Sequence, residues 1–409
     1  MSAHSEAMGA AIAPEDAYCP LMPTYGPPEV MFVRGSGSWL WDAEGNEYLD
    51  LLSGLAVTSL GHAHPTLADA ISEQSRKLLH VSNLFATEHN PVVARTLDGL
   101  LGGGGQVFFA NSGAEANEAA IKLARRFGGR GRHVVLSSFG SFHGRTLSTL
   151  HATGQPAKHE AFQPLPEGFR HAAFGDLEDF ARNIDPTVAA VLIEVVQGEG
   201  GVNPLPDQFM VDLRQLCDER GVLLMIDEVQ TGLGRCGHWF AHQRSGIRPD
   251  VVTMAKALGN GMPIGACWAR REVAAVFQPG DHATTFGGQP LATAAARATL
   301  DVMQAEDAPE RAARAGAYLT QALASVPGVS SVRGMGLLLA LELDLAGSRT
   351  AGDVVSELLH GDHGMRVVAN AVTPTALRLA PSLLITDDEI HRAVEVLAAA
   401  VGPTTGGGL

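Results

Sequence analysis

Hydrophobic and polar positions follow two patterns along the chain. From Met31 to Asp50 they alternate around two turn-like sequences, Ser36-Gly37 and Glu44-Gly45-Asn46, which predicts short antiparallel strands. From about residue 65 to 300, apolar runs alternate with helix-length stretches, which predicts an α/β core with a mainly parallel sheet covered on both faces. The predicted strands include Gln106 to Ala110, His133 to Ser137, Val188 to Ile193, Val222 to Ile226 and Val251 to Met254, and the predicted helices include Ala114 to Phe127 and Asp207 to Arg220.

The pattern changes again near the C-terminus. After Glu306 a helical stretch is followed by a strand-like run from Val332, a second helix, a strand pair and a closing helix from Asp387, which is typical of a smaller α+β domain. We therefore predict an N-terminal arm (1–30), strands that belong to the small domain (31–60), a large ligand-binding α/β domain (61–305) and a C-terminal small domain (306–409).

Composition disfavours several classes of protein. The 409 residues include 29 Lys plus Arg and 44 Asp plus Glu, and the net charge of −15 has the wrong sign for binding nucleic acid or an anionic membrane. The apolar run near Val188 is interrupted by Glu194, so no membrane span is predicted. Four scattered cysteines without a CxxC pair, and a start that does not resemble a secretion signal, favour a reducing cytoplasm.

Candidate chemistry lies where predicted strands end, because open α/β sheets bind ligands at the carboxyl ends of their strands. The first such end runs into Asn111-Ser112-Gly113-Ala114-Glu115 and a helix. Unpaired backbone N–H groups at a helix N-terminus suit a phosphate. The alternative is an ordinary N-cap at Ser112, with Glu115 completing a capping box.

Two further strand ends carry ionisable residues. Asp227 and Glu228 are adjacent on a strand and point to opposite faces, so they cannot act as an acid/base pair on one substrate. A buried carboxylate here needs a partner, either the protonated ring nitrogen of a cofactor or an arginine in a structural ion pair. Lys256 follows the strand ending at Met254 and is either a desolvated nucleophile for carbonyl carbons or a solvated surface lysine.

Together, a phosphate cradle, a ring-nitrogen carboxylate and a nucleophilic lysine are what a pyridoxal phosphate site requires. The sequence also resembles the class III (ω-amino acid) aminotransferases, which have the type I pyridoxal phosphate-dependent transferase fold. The resemblance extends over nearly the whole chain, in the motifs LGHAHP (60–65), NSGAEANEAAIKLAR (111–125), FHGRTLSTLHATGQ (142–155), QGEGGV (197–202), IDEVQTGLGR (226–235), MAKALGNGMPIGA (254–266), HATTFGGQP (282–290) and LRLAPSL (377–383).

The resemblance implies a role for each residue that would bind pyridoxal 5′-phosphate. Lys256 would bind the cofactor covalently, Asp227 would pair with its ring nitrogen, and Gln230 would contact its ring hydroxyl. The phosphate would be held at Ser112, Gly113 and Ala114, and Phe142 would stack on the ring. Thr285 would reach the phosphate from a partner subunit, which implies a homodimer with shared active sites.

The resemblance also implies how substrates bind. Arg145 and Arg378 would each clamp a carboxylate, and Glu199 would pair with Arg378 while the amino donor reacts and release it for 2-oxoglutarate. The aliphatic Leu55 fits an acylated α-nitrogen better than a free ammonium. The expected donor is therefore N2-acetyl-L-ornithine, in arginine biosynthesis; the alternatives are succinylornithine, 4-aminobutyrate, ornithine or lysine as donor, or a catalytically idle binding relative.

Other signals are weaker. Residues 232–237 satisfy GxGxxG, but they do not join a strand directly to a helix, so nicotinamide binding is not predicted. The pairs His62/His64 and His238/His242 lack the glutamate and third ligand of a zinc site, and no metal is predicted.

Overall fold

The computed structural model of the protein describes residues 22–361 and 364–401. Most of the predicted N-terminal arm and the tail from residue 402 lie outside the described residues. The N-terminal elements are β1 (Phe32–Ser36), β2 (Trp39–Asp42), β3 (Glu47–Asp50), α1 (Ser53–Ala56), α2 (Pro65–Lys77) and α3 (Asn90–Leu100). The alternation read from Met31 to Asp50 is thus confirmed as three short strands, paired antiparallel.

The central part of the chain forms the large sheet and its helices. Its elements are β4 (Gly105–Ala110), α4 (Gly113–Gly128), β5 (Val134–Ser138), α5 (Leu147–Ala152), β6 (Phe169–Ala172), α6 (Leu177–Asn183), β7 (Val188–Ile193), β8 (Val196–Gln197), β9 (Asn203–Pro204), α7 (Asp207–Arg220), β10 (Leu223–Asp227), β11 (Val251–Met254), β12 (Gly265–Arg270), α8 (Arg271–Ala274) and α9 (Pro290–Ala305). Short 3₁₀ turns span Pro156–Lys158, Glu160–Phe162, Ala241–Ser245 and Lys256–Leu258.

Seven of these strands form one sheet in the order β4-β12-β11-β10-β7-β5-β6. All are parallel except β12, which runs antiparallel to β4 and to β11. The α/β core with a mainly parallel sheet is confirmed. Strand β12 was not predicted, because its residues lie close behind the lysine motif with no helix between them. The order of strands brings the carboxyl ends of β4, β10 and β11 to one edge of the sheet.

Helix α4 begins at this edge of the sheet and packs closely against it. Ser112 caps the helix, its Oγ accepting a hydrogen bond from the backbone N–H of Glu115 at 3.1 Å. The buried face of α4 is largely alanine, including Ala116, Ala119 and Ala120, so the helix lies close against β11 and β12. Small buried side chains at helical spacing thereby place the start of α4 directly above the strand ends.

The C-terminal part contains α10 (Ala308–Leu323), β13 (Val329–Met335), β14 (Leu338–Leu343), α11 (Ala351–His360), β15 (Arg366–Val368), β16 (Asn370–Ala371), β17 (Ala376–Leu379) and α12 (Asp387–Val401). Four of its strands form a sheet in the order β13-β14-β17-β16, whereas β15 pairs parallel with β3 in the N-terminal sheet. This pairing supports the proposed grouping of residues 31–60 with the C-terminal segment. Within the described ranges, no helix combines the length and the apolarity needed to cross a membrane.

Candidate active site

The three strand ends enclose a cavity of about 380 Å³. Nine of the twelve predicted site residues line it: Ser112, Gly113, Ala114, Phe142, Arg145, Glu199, Asp227, Gln230 and Lys256. Segments distant in sequence therefore meet at the edge of the sheet where sequence analysis placed a ligand.

Asp227, the last residue of β10, is buried and held by three donors. Its Oδ2 accepts a hydrogen bond from Asn117 Nδ2 at 2.8 Å and lies 2.8 Å from His143 Nδ1, and its Oδ1 accepts from the backbone N–H of Val229 at 3.0 Å. Asn117 is itself oriented by the hydroxyl of Thr253, which donates to Asn117 Oδ1 at 2.7 Å. No arginine among the described residues pairs with Asp227, so the interpretation as an Arg–Asp structural pair is wrong.

Glu228 faces away from the cavity, as expected for its position on the strand. Its Oε1 lies 2.9 Å from His242 Nδ1, and its Oε2 accepts from the hydroxyl of Thr231. Both partners are buried. Glu228 therefore has a structural partner of its own, and His242 is occupied by that carboxylate.

Lys256 projects into the cavity from the start of a 3₁₀ turn. Its backbone φ is +43°, an uncommon conformation for a residue with a side chain. Burial, and secondarily the positive charge of Arg378, lower the pKa of the Lys256 amine to about 8. About a tenth of this amine is therefore uncharged at pH 7, far more than for an exposed lysine, and the uncharged amine is the nucleophile. The alternative of a solvated surface lysine is wrong.

The turn at Ser112 acts as a helix cap and also leaves donors free. Glu115 Oε2 accepts from the backbone N–H of Asn111 at 2.9 Å rather than from that of Ser112, so the capping box is incomplete. The backbone N–H groups of Gly113 and Ala114 have no acceptor among the described residues, and both residues line the cavity. The helix dipole and these two donors together suit an anionic group.

Gln230 and Phe142 both line the cavity. Gln230 Oε1 is buried without a hydrogen-bond partner in the described structure. A Cβ at position 198 would lie 1.5 Å from this oxygen, so only glycine at 198 permits the present position of Gln230. The backbone N–H of Phe142 donates to Glu194 Oε2 at 3.0 Å, which fixes the loop that carries the aromatic ring.

Glu199 and Arg378 form an ion pair at the cavity, with Arg378 Nη1 donating to Glu199 Oε1 at 2.6 Å. Arg378 is almost fully buried and also donates to the backbone oxygen of Gly198 at 3.1 Å and to Asn370 Oδ1 at 3.1 Å. Burial by itself would raise the pKa of Glu199, but Arg378 outweighs it and holds that pKa below its usual value. Glu199 is therefore ionised and neutralises Arg378.

Among the cavity residues that sequence analysis did not single out, three have side chains that can hydrogen-bond to the reacting groups or to the loop carrying Phe142: Asn117, His143 and Glu194. Asn117 lies one helical turn after Gly113, on the same face of α4, and His143 directly follows Phe142, so their positions contained a signal. Glu194 follows β7 and is fully buried. Burial, with Asp227 adding to it, raises the pKa of Glu194 well above its usual value.

Two predicted residues lie elsewhere. Leu55 is 39% exposed on α1, at a left-handed φ of +70°, while Val57 lines the cavity in this segment. Thr285 lines a separate surface cavity of about 1060 Å³ together with Leu84 and Phe85. Neither residue contacts the Lys256 cavity within this chain.

The weaker signals have structural explanations. His62 Nε2 lies 2.8 Å from Asp50 Oδ2, so this histidine is occupied by a carboxylate. In the part of the chain that the structure describes, no cluster of three or more His, Cys, Asp or Glu is arranged to hold a metal ion. Residues 232–237 form turns rather than a strand-to-helix junction.

The chain resembles known proteins in both sequence and structure. A profile of the family Aminotransferase class-III matches residues 22–401. An acetylornithine aminotransferase of Corynebacterium efficiens is 49% identical over 389 residues, covering 93% of this chain and 94% of that protein. An N-acetylornithine aminotransferase structure from Stenotrophomonas maltophilia K279a has a TM-score of 0.79 at 36% identity, covering 92% of this chain and 96% of the other.

A structure of ornithine aminotransferase from Toxoplasma gondii, with partial occupancy of PLP (pyridoxal phosphate) at its active site, has a TM-score of 0.88 at 31% identity, covering 95% of this chain and 94% of that one. The cavity residues fit this cofactor. The free N–H groups at Gly113 and Ala114 suit a phosphate, buried Asp227 suits a protonated ring nitrogen, and the unpartnered Gln230 Oε1 can accept from a ring hydroxyl. The chain belongs to the class-III aminotransferase family, whose cofactor is pyridoxal phosphate.

Proposed function

We propose that this protein transfers the ω-amino group of N2-acetyl-L-ornithine to 2-oxoglutarate in a ping-pong reaction. The products are N-acetyl-glutamate 5-semialdehyde and glutamate, and the reaction belongs to arginine biosynthesis. The observation that carries the proposal is the juxtaposition, in one cavity, of the Lys256 amine, the buried Asp227 carboxylate and the closed Glu199–Arg378 pair. The 49% identity with an acetylornithine aminotransferase supports the choice of donor.

Bound pyridoxal phosphate supplies a carbonyl group that captures the substrate amine and a ring that withdraws electrons from the reacting carbon. Asn117, His143 and the Val229 N–H hold the Asp227 side chain in one orientation, which would place it to stabilise a positive charge on the cofactor ring. Lys256 would hold the cofactor and, when its amine is free, would act as the base for the proton on the ω-carbon of the donor. Its pKa near 8 suits proton transfer in both directions at neutral pH.

The Glu199–Arg378 pair can separate the two half-reactions. The reacting end of N2-acetyl-L-ornithine carries no carboxylate, so Glu199 remains on Arg378 and keeps that buried cation neutralised. The reacting end of 2-oxoglutarate carries a carboxylate beside the keto group, which replaces Glu199 on Arg378 in the second half-reaction. Arg145, at the cavity wall, binds the distant carboxylate of either substrate.

The residues after β3 support an acylated donor. Val57 presents an aliphatic side chain to the cavity, and Leu55 is exposed two residues earlier. The Val57 side chain cannot accept a hydrogen bond from a free ammonium, whereas it offers apolar surface to an acetyl group. We propose this segment as the contact for the acylated α-nitrogen.

We also propose a homodimer in which Thr285 completes the partner's phosphate site. Thr285 lies beside large exposed apolar side chains: Leu84 is 86% exposed, Phe85 68% and Phe286 57%. Such a patch is typical of a surface covered by another protein.

Three buried free cysteines (Cys217, Cys236 and Cys267) support the further proposal that the enzyme works in the cytoplasm.

Donor profiling of the purified holoenzyme tests the proposal. Specificity constants are measured for N2-acetyl-L-ornithine, N2-succinyl-L-ornithine, ornithine, lysine and 4-aminobutyrate, each with 2-oxoglutarate as acceptor. We expect the acetylated donor to exceed ornithine by at least about tenfold, because a free ammonium is left without a partner at Val57. A preference for 4-aminobutyrate or free ornithine would overturn the assignment of the donor and leave the aminotransferase chemistry intact.

A further inference from the structure

Two cations lie close to the ring of Phe142, Arg145 in the cavity wall and Lys158 beside it, and neither has an anionic partner among the described residues. The guanidinium carbon of Arg145 lies 5.6 Å from the ring centroid of Phe142, and Lys158 Nζ lies 5.2 Å from the same centroid. Within residues 22–361 and 364–401, neither side chain is hydrogen-bonded or ion-paired, in contrast to Arg378, which Glu199 neutralises. Two cations therefore flank one aromatic ring of the active site without a counterion.

The position of Lys158 is fixed relative to Phe142. Lys158 ends the 3₁₀ turn Pro156–Lys158, and the residues before this turn are tied to the loop carrying Phe142. Gln155 Nε2 donates to the backbone oxygen of Ser141 at 2.9 Å, and the backbone N–H of Gly154 donates to Ser141 Oγ at 3.0 Å. A Cβ at Gly154 would lie 2.0 Å from the backbone oxygen of Ser138, so the two segments are in direct backbone contact. Lys158 is thus preorganised beside the cavity.

The charges around Lys158 favour an anionic ligand. Burial is the main cause that lowers the pKa of Lys158, and the positive charge of Arg145 is the second. The negative charge of Glu199 opposes this shift. The two cations therefore repel each other, and a carboxylate placed between them would relieve that repulsion. The chain contains only four lysines, and two of them, Lys158 and Lys256, lie at this site.

We propose that Lys158 is a specificity-determining residue that, together with Arg145, binds the substrate carboxylate farthest from the reacting carbon. This inference rests on the proposed function, in which the acceptor is a dicarboxylic 2-oxo acid. The other anionic groups have their own partners: the cofactor phosphate at the start of α4, and the carboxylate beside the keto group at Arg378. The distal carboxylate is the remaining anion, and the two unpaired cations at Phe142 are its ligands.

The test compares two acceptors that share a reacting end. Protein loaded with the amine form of the cofactor is mixed with 2-oxoglutarate or with pyruvate, which lacks the distal carboxylate, and the absorbance change gives kcat/KM for this half-reaction. For Lys158→Met we expect about a tenfold loss with 2-oxoglutarate and less than about a twofold change with pyruvate. Lys158→Arg keeps the charge and should retain most of the preference. The control is Arg182→Met, which removes an exposed cation on α6.

Equilibrium binding gives a second readout. Calorimetric titration of the holoenzyme with glutarate, a dicarboxylate, should show about tenfold weaker binding in Lys158→Met, while binding of the monocarboxylate butyrate should change little. Equal losses for 2-oxoglutarate and pyruvate would mean that Lys158 only supports the loop, and unchanged constants would mean that it binds nothing; either result overturns the inference.

The half-reaction contains no amino donor, so an error in the proposed donor leaves this test unaffected. A wild-type protein that does not react with 2-oxoglutarate would contradict the proposed function itself. A wild-type protein that prefers 2-oxoglutarate, together with a Lys158→Met variant that keeps this preference, would contradict the role of Lys158 alone.

Discussion

The inner end of the active-site cavity and its mouth are built differently. At the inner end, Asp227 is buried and held by Asn117, His143 and the Val229 N–H. At the mouth, by which we mean the side of the site formed by Arg145, Lys158, Glu199 and Arg378, the first two residues have no partner among the described residues. The ion pair of Glu199 and Arg378 includes a carboxylate that is one-third exposed. The inner end presents fixed partners for a cofactor, whereas the mouth presents charges that can exchange partners as substrates alternate. Residues with fixed partners suit the chemistry that both half-reactions share. Charged residues that can exchange partners suit discrimination between the two substrates.

The largest expected effect lies at the inner end. Replacing Lys256 by Ala removes both the group that binds the cofactor and the base, so we expect turnover to fall by at least about 10⁴-fold in both half-reactions. Lys256→Arg, which keeps the positive charge but is not a nucleophile, should be similarly inactive. Borohydride reduction followed by mass spectrometry should detect the covalent cofactor in the wild-type protein only. Turnover in Lys256→Ala near the wild-type rate would refute the assignment of the inner end.

At the mouth we expect a smaller effect, confined to one of the two half-reactions. Glu199→Gln leaves Arg378 without a counter-charge, so kcat/KM for the donor half-reaction should fall about tenfold while the half-reaction with 2-oxoglutarate is unchanged or faster. Stopped-flow measurement of each half-reaction separates the two. The matched control is Glu357→Gln, which breaks a Glu–Arg pair with Arg349 far from the cavity. Equal losses in both half-reactions would remove the distinction between the two regions.

The smallest expected effect is the pH dependence of cofactor binding at Lys256. Only the uncharged amine of Lys256 attacks the cofactor aldehyde, and its pKa is lowered to about 8 chiefly by burial. The rate at which the cofactor-free protein takes up pyridoxal phosphate should therefore rise by about fivefold from pH 7 to pH 8 and level off above pH 9. Uptake can be followed by visible absorbance. A rate that keeps rising to pH 10 would show that Lys256 titrates like an exposed lysine.

Much of the site was predictable because its residues occur where strands end. A helix beginning at Gly113 with Ser112 before it, a carboxylate ending β10 and a lysine following β11 are local patterns, and the topology of a parallel sheet brings them together. The partners of Asp227 were not predictable from such patterns. Asn117 is a mid-helix residue and His143 a loop residue, and only the packing of α4 and the loop after β5 against β10 turns both side chains onto one carboxylate.

Sequence analysis also did not predict the antiparallel strand β12 or the raised pKa of Glu194. Both depend on neighbours supplied by other parts of the chain: β12 lies between β4 and β11, and the pKa of Glu194 depends on burial and on Asp227.

The amino-acid sequence by itself determined the α/β class, the order of strands and helices along the chain, and the residue types at each strand end, because periodicity and turn residues act locally. Only the tertiary structure decided which of those residues share a cavity, which charges are neutralised and which remain free. Glu199 and Arg378 are 179 residues apart in sequence yet 2.6 Å apart in space, and Lys158 reaches Phe142 only through the turn fastened at Ser141. Electrostatics depends on distances and burial, and both arise only when the segments pack together.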